Sequence, residues 1–70
     1  MKISDATDFG KALRIRRKSL GYTQQYISDY TGFSVSFISD LERGKETAEI
    51  GKALFLANLL GLDVITEERG

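Results

Sequence analysis

The sequence predicts an all-α domain of four to five short helices followed by one short β-strand, and three observations carry that prediction. Gly21, Gly32, Gly44 and Gly61 each stand where an apolar-periodic segment ends, and Gly21 and Gly32 are followed within two residues by Thr23 and Ser34, hydroxyl residues suited to start the next helix. No Pro, low-complexity stretch or internal repeat interrupts this punctuation. After Gly61, Leu62-Asp63-Val64-Ile65-Thr66 is β-branched at its centre and alternates imperfectly, as a short strand does.

Taken in order, residues 1–6 form an arm, with Met1 and Ile3 among polar neighbours. Thr7 is the expected N-cap of a first helix running to Leu20, and Asp8 places negative charge in its first turn. Its apolar stripe is Phe9, Ala12, Leu13 and Leu20, joined by the stem of Arg16. Gly10 sits in the first turn, where glycine costs a helix least. Thr23 caps a second helix with Ile27 and Tyr30 on one face, ended by Gly32. Ser34 caps a third. Ile38, Leu41 and the stem of Glu42 lie on its buried stripe, and Val35, Ser36, Ser39 and Asp40 face away. Lys45 and Glu46 form a loop, and Thr47 is expected to cap a fourth helix to Leu60. The expected organisation is an arm (1–6), a helical domain (7–61) and a strand and tail (62–70) that dimerise.

The fourth helix has more apolar residues than one face can hold: Ile50, Ala53, Leu54, Phe55, Leu56, Ala57, Leu59 and Leu60. A helix apolar on two sides must be buried on two sides. One face closes the core, and a second copy of the chain is the expected cover for the other. Phe55, Leu56, Leu59, Leu62, Val64 and Ile65 are therefore the expected homodimer interface. The strand would pair with its copy across a two-fold axis or with the Met1–Ser4 arm.

Seventy residues suit one domain, and a chain so short gains stability from a staple or from oligomerisation. It has no Cys and no His, which excludes disulfides and the usual zinc sites, so no metal and no cofactor is expected. No apolar run reaches the length of a signal peptide or a spanning helix, so the expected location is cytoplasmic. Net charge is zero, but Lys11, Arg14, Arg16, Arg17 and Lys18 put half of the ten basic residues in one stretch, while Asp63, Glu67 and Glu68 leave the C-terminal end mostly acidic. Such a chain either presents one positive face or carries ordinary solvated helix charges.

Residues 23–44 read as two short helices joined by a tight turn of about three residues, a helix-turn-helix. That turn length matches the motif whose second helix enters the DNA major groove and reads base edges from its N-terminal end. Small side chains on the outward face suit a groove.

Leu13-Arg14, Arg17, Gly21-Tyr22-Thr23-Gln24, Ile27, Gly32, Ser34, Ile38-Ser39 and Leu41-Glu42-Arg43-Gly44 carry a further signal. Over about residues 9 to 61 the chain resembles the xenobiotic-response-element, or Cro/C1-type, helix-turn-helix family. Phe37 to Lys45 and the Leu60-Gly61-Leu62-Asp63 ending look like its HipB-like subgroup of antitoxins, which partner HipA-like toxin kinases. The resemblance implies a Cro/C1-repressor-like DNA-binding domain acting as a repressor on a palindromic operator in double-stranded DNA, as the antitoxin of a toxin-antitoxin system that regulates its own operon. It implies base contacts from Val35, Ser36, Ser39 and Asp40, and backbone contacts from Gln24, Ser34, Phe37, Arg43 and Lys45. Phe37 stands where the family often has a small polar residue, and would pack beside the groove or touch a thymine methyl. Asp40 departs from a neutral reading face, and would accept from a cytosine amino group or only repel a wrong register. Arg17 and Glu42 match a pair that forms a salt bridge inside related domains.

Three function classes compete, and the sequence-specific, dimeric DNA-binding repressor leads, with the antitoxin as its favoured setting. A stand-alone phage-type or restriction-modification controller repressor shares the DNA-binding reading without the toxin. A protein-interaction module of the same fold draws on the oily fourth helix and the zero net charge. An enzyme has least support: no Ser has an evident base beside it, and there is no Gly-rich phosphate loop or metal cluster. Neither a membrane nor a small-molecule ligand is an expected partner.

Overall fold

A computed structural model describes residues 1–70 as four helices, α1 (Ala6–Ser19), α2 (Gln24–Thr31), α3 (Val35–Glu42) and α4 (Ile50–Leu59). α3 packs on both α1 and α2. The core is Leu13 from α1, Ile27 from α2, Ile38 and Leu41 from α3, and Ala53, Leu56, Ala57 and Leu60 from α4 and its end. Phe9, Phe33, Phe37, Ala48 and Leu62 cover its margins. No helix is long and apolar enough to cross a membrane.

The starts of α2 and α3 follow the hydroxyl signals: Thr23 accepts from the Tyr26 N–H and Ser34 from the Phe37 N–H, both at 3.0 Å. The other two helices start elsewhere than expected. At α1 the cap is Asp5 in place of Thr7, its carboxylate taking the Asp8 N–H at 2.8 Å while Asp8 takes the Ser4 N–H at 3.1 Å. A carboxylate two residues upstream outcompetes the hydroxyl because it also meets the positive end of the helix dipole. α4 starts at Ile50 after Glu49, with no side-chain cap, and Thr47 does not cap it. Lys45 to Ala48 are held in a turn by the Ala48 N–H to Lys45 O bond (3.3 Å), which delays the helical ladder to Ala53 N–H on Glu49 O (3.0 Å).

α1, α3 and α4 end on the same pair of backbone bonds, the Schellman arrangement. At α3 these are Gly44 N–H to Leu41 O and Lys45 N–H to Asp40 O, each 3.0 Å, so the chain leaves α3 along a fixed path.

Four expectations about burial and strand are corrected. The buried stripe of α1 is Gly10, Leu13 and Arg17, whereas Leu20 caps the helix end and is exposed. A Cβ on Gly10 would fall 2.7 Å from Glu42 O and closer still to Leu41 O, so glycine is what lets α1 lie against the end of α3. Tyr30 stands 68 % exposed, because one turn on from Ile27 it has rotated to the rim of α2. Leu56, expected in the dimer face, is 1 % exposed in the centre of the core, since the inward stripe of α4 is Ala53, Leu56, Ala57 and Leu60. Leu62 to Thr66 form no strand. The Leu62 N–H is used on Ala57 O (2.9 Å) to close α4, and no backbone bond joins this segment to the arm, so it has no ladder to belong to.

Candidate nucleic-acid interface

Three residues, Gly32, Phe33 and Ser34, separate α2 from α3, and each bond of the turn has a cause. Gly32 adopts the left-handed conformation (φ 80°) and gives its N–H to Ser28 O at 2.8 Å. Thr31 then bridges the corner: its hydroxyl donates to Ile27 O (2.7 Å) and accepts from the Phe33 N–H (3.0 Å). With α2 stopped and re-aimed within one residue, Ser34 restarts the chain as α3. Ile38, Leu41 and Glu42 face inward, Phe37 packs at the margin of the core, Ser36 is exposed, and Val35, Ser39 and Asp40 are half-buried along the outer side.

Behind α3 lies a buried polar network. Arg17 Nε donates to Glu42 Oε2 at 2.7 Å and Nη2 to Oε1 at 2.9 Å, with side chains 8 % and 4 % exposed. Arg17 Nη1 donates to Tyr22 O (2.7 Å), and Gln24 Nε2 donates to Glu42 Oε1 (3.1 Å). The Arg17–Glu42 pair thus ties together α1, the α1–α2 loop, the first residue of α2 and the last of α3. The hydrogen bond to Glu42 holds the Arg17 guanidinium above its ordinary pKa, against the cost of burial and aided by the carboxylate charge. This network fixes how α3 is presented.

At the C-terminal end of α3 and just past it, a partly exposed cluster gathers four of the expected DNA-contacting residues. Arg43 Nη1 donates to Ser39 Oγ (2.7 Å), Arg43 Nη2 pairs with Asp40 Oδ1, and Lys45 Nζ lies 3.5 Å from Asp40 Oδ2. Ser34, Ser36, Phe37, Asp40, Lys45 and Thr47 line a shallow concavity beside it. Gln24 gives one of its two amide N–H groups to Glu42, and the unpaired backbone N–H groups at the start of α2 remain. The basic cluster of α1 is divided. Arg17 is internal, Arg16 Nε donates to Leu60 O (2.8 Å) to close α4 onto α1, and Lys11, Arg14 and Lys18 share one exposed helical stripe.

Two features of the region had little or no sequence signal. Tyr22 stacks on Tyr26 (centroids 4.9 Å apart), legible only as an aromatic pair four residues apart. Phe33 meets Phe37 and Phe55 edge-on (5.4 and 5.9 Å), and Lys52 Nζ stands 5.8 and 5.6 Å from the Phe33 and Phe37 rings, which links the turn to α4. Of the residues expected at a dimer surface, Phe55, Leu59, Val64 and Ile65 are exposed and Leu62 is half-buried; Ile50 is 74 % exposed beside them on α4. No three His, Cys, Asp or Glu side chains converge where they could hold a metal ion.

Comparison with known proteins agrees with this geometry. A family model described as "Helix-turn-helix" matches residues 13–65. An uncharacterized HTH-type transcriptional regulator, y4mF, of Sinorhizobium fredii is 38 % identical over 63 residues, covering 90 % of this chain and 83 % of that protein. A competence pilus inhibition repressor of Acinetobacter baylyi is 46 % identical over 39 residues, 56 % of this chain and 36 % of that protein. Among solved structures, one described as "HipB-O4 20mer complex" superposes with a TM-score of 0.86 at 20 % identity, covering 100 % of this chain and 99 % of that one. At that identity the likeness is one of fold.

Proposed function

Since the chain belongs to the helix-turn-helix family of transcriptional regulators, we propose that it is a sequence-specific repressor that binds a palindromic DNA operator as a homodimer. The observation that carries this reading is the α2–turn–α3 unit itself. A buried carboxylate–guanidinium network fixes its angle, and α3 shows a small, polar outer side with Arg43 and Lys45 beyond its end. In this reading Val35, Ser36 and Ser39 reach base edges. Ser34, Phe37, Arg43, Lys45 and the free N–H groups around Gln24 position the domain on phosphates and sugars. Repression is supported by the similarity to the Acinetobacter repressor. The dimer rests on the exposed parts of Phe55 and Leu59 of α4 and on Val64 and Ile65 of the tail.

The biological setting we propose is that of an antitoxin with a kinase-like toxin partner, regulating its own operon. It is supported by the fold shared with HipB over the whole chain and by the Phe37 to Lys45 resemblance. Footprinting on the DNA upstream of the gene tests the first claim: two symmetric half-sites about 34 Å apart are expected, and one unsymmetrical half-site counts against it. Affinity purification from the native host tests the second. A kinase-like protein encoded next to this gene should co-purify, and its absence beside a phage-type or restriction-modification neighbour moves the assignment to a stand-alone repressor.

A further inference from the structure

Asp40 sits on the outer side of the proposed reading helix, where an anion would repel phosphate, and yet it is the residue to which both cations of the following loop are tied. Arg43 Nη2 pairs with Asp40 Oδ1, Lys45 Nζ lies 3.5 Å from Oδ2, and Ser39 Oγ accepts a second Arg43 bond at 2.7 Å. The cations remain open to solvent, with side chains 70 % and 53 % exposed against 33 % for Asp40. Such pairs are weak enough to exchange and close enough to compete. The backbone also favours them, because the Lys45 N–H bond to Asp40 O returns the loop over the Asp40 side chain.

Resting on the DNA-binding reading, we infer that Asp40 is an internal stand-in for phosphate, a specificity-determining residue that holds Arg43 and Lys45 back from DNA of arbitrary sequence. Phosphate contacts supply sequence-independent affinity, so a carboxylate that competes for two phosphate-binding cations lowers binding to any duplex. At a true operator the base contacts of α3 lodge the helix in the groove and bring phosphates close enough to displace the carboxylate. The ratio of specific to non-specific affinity rises as a result. This role differs from direct readout. A carboxylate accepting from a cytosine amino group would be missed only at the operator, whereas a competitor for cations is felt on every sequence.

The test compares the full chain with its Asp40→Asn variant on a random-sequence DNA duplex over a range of salt. The variant keeps the shape and the backbone bond to Lys45 and loses only the charge. It should bind random duplex about three- to tenfold more tightly per subunit at low salt, and log affinity should fall more steeply with log salt. In an Arg43→Gln/Lys45→Gln background the same change should bring little gain. Unchanged or weaker binding of random duplex by Asp40→Asn overturns the inference while leaving the DNA-binding reading intact, as does a full gain that persists without Arg43 and Lys45. If the unaltered chain binds no duplex at any salt, the DNA-binding reading falls and the inference with it.

Discussion

Arg17 and Glu42, 25 residues apart in sequence, meet through two parallel hydrogen bonds of 2.7 and 2.9 Å between α1 and the end of α3. Each has a further partner, Tyr22 O for the guanidinium and the Gln24 amide for the carboxylate, and no buried side-chain nitrogen or oxygen is left unpaired. Removing one member strands the other in a nearly water-free place. Arg17→Met or Glu42→Met should therefore each cost about 3–5 kcal/mol of unfolding free energy, and the double variant should recover part of the loss. Additive losses in a denaturant double-mutant cycle would mean that the pair carries no coupling. Because the partner raises the Arg17 pKa, its share of stability is complete below the ordinary arginine pKa and is lost only as pH climbs through the still higher folded value. Between mildly acid and mildly alkaline pH, Arg17 should add no slope to the stability curve.

Gly10 and Gly51 both lie inside helices and should respond oppositely to alanine. At Gly10 the added methyl meets the carbonyl oxygens of Leu41 and Glu42, which are backbone and cannot swing aside, so α1 must lift off α3. Gly10→Ala is expected to cost about 1–3 kcal/mol. At Gly51, the second residue of α4, nothing lies within 4 Å, and Gly51→Ala should stabilise by roughly 0.4–1 kcal/mol, chiefly by narrowing the freedom of the unfolded chain. Thermal melts of the two variants check both signs.

The same contrast shows what the sequence discloses. Helix stops and the Thr23, Gly32 and Ser34 signals are local chemistry, each decided within four residues, so the motif was legible in full. Gly10 was not, because its reason lies in α3, and a glycine needed for close approach is written like one merely tolerated. Asp5 prevailed over Thr7 because two groups competed for one helix start and propensity does not rank them, whereas α4 starts late because the Lys45–Ala48 turn occupies the residues before it, with no side chain capping it. Arg17 and Glu42 were legible as a pair only through resemblance. The partnership of Asp40 with Arg43 and Lys45 depends on how the chain folds back after α3, which residue spacing leaves open.

Leu56 and Phe55 are neighbours on α4 with opposite surroundings, 1 % and 53 % exposed. Leu56→Ala removes methyl groups from the centre of the core and should cost about 2–5 kcal/mol, lowering the melting temperature. Phe55→Lys leaves the core filled but places a charge on the proposed dimer face. In sedimentation it should shift the population toward monomer, as should a chain ending at Gly61. Full dimers from both would locate the interface elsewhere, on the exposed stripe of α1 or on the tyrosines of α2.

Ser36 and Lys45 should separate sequence reading from phosphate binding. Ser36 is exposed one residue into α3 from its first position, near the helix end that in the proposed reading enters the groove, and carries no hydrogen bond to another residue's side chain. Lys45 lies on the loop after that helix, where in the proposed reading a cation meets phosphate and not base edges. Ser36→Ala should therefore change the rank order of operator variants and leave binding to random duplex as it was. Lys45→Gln should weaken every operator variant by a similar factor without re-ordering them, weaken random duplex less because Asp40 already holds that cation there, and make the dependence of log affinity on log salt at the operator shallower by about one unit per subunit. Binding arrays run at two salt concentrations measure both effects together. If Ser36→Ala lowered affinity uniformly while Lys45→Gln re-ordered the preferred sequences, α3 would not be the reading helix, and the motif would be facing DNA from its other side.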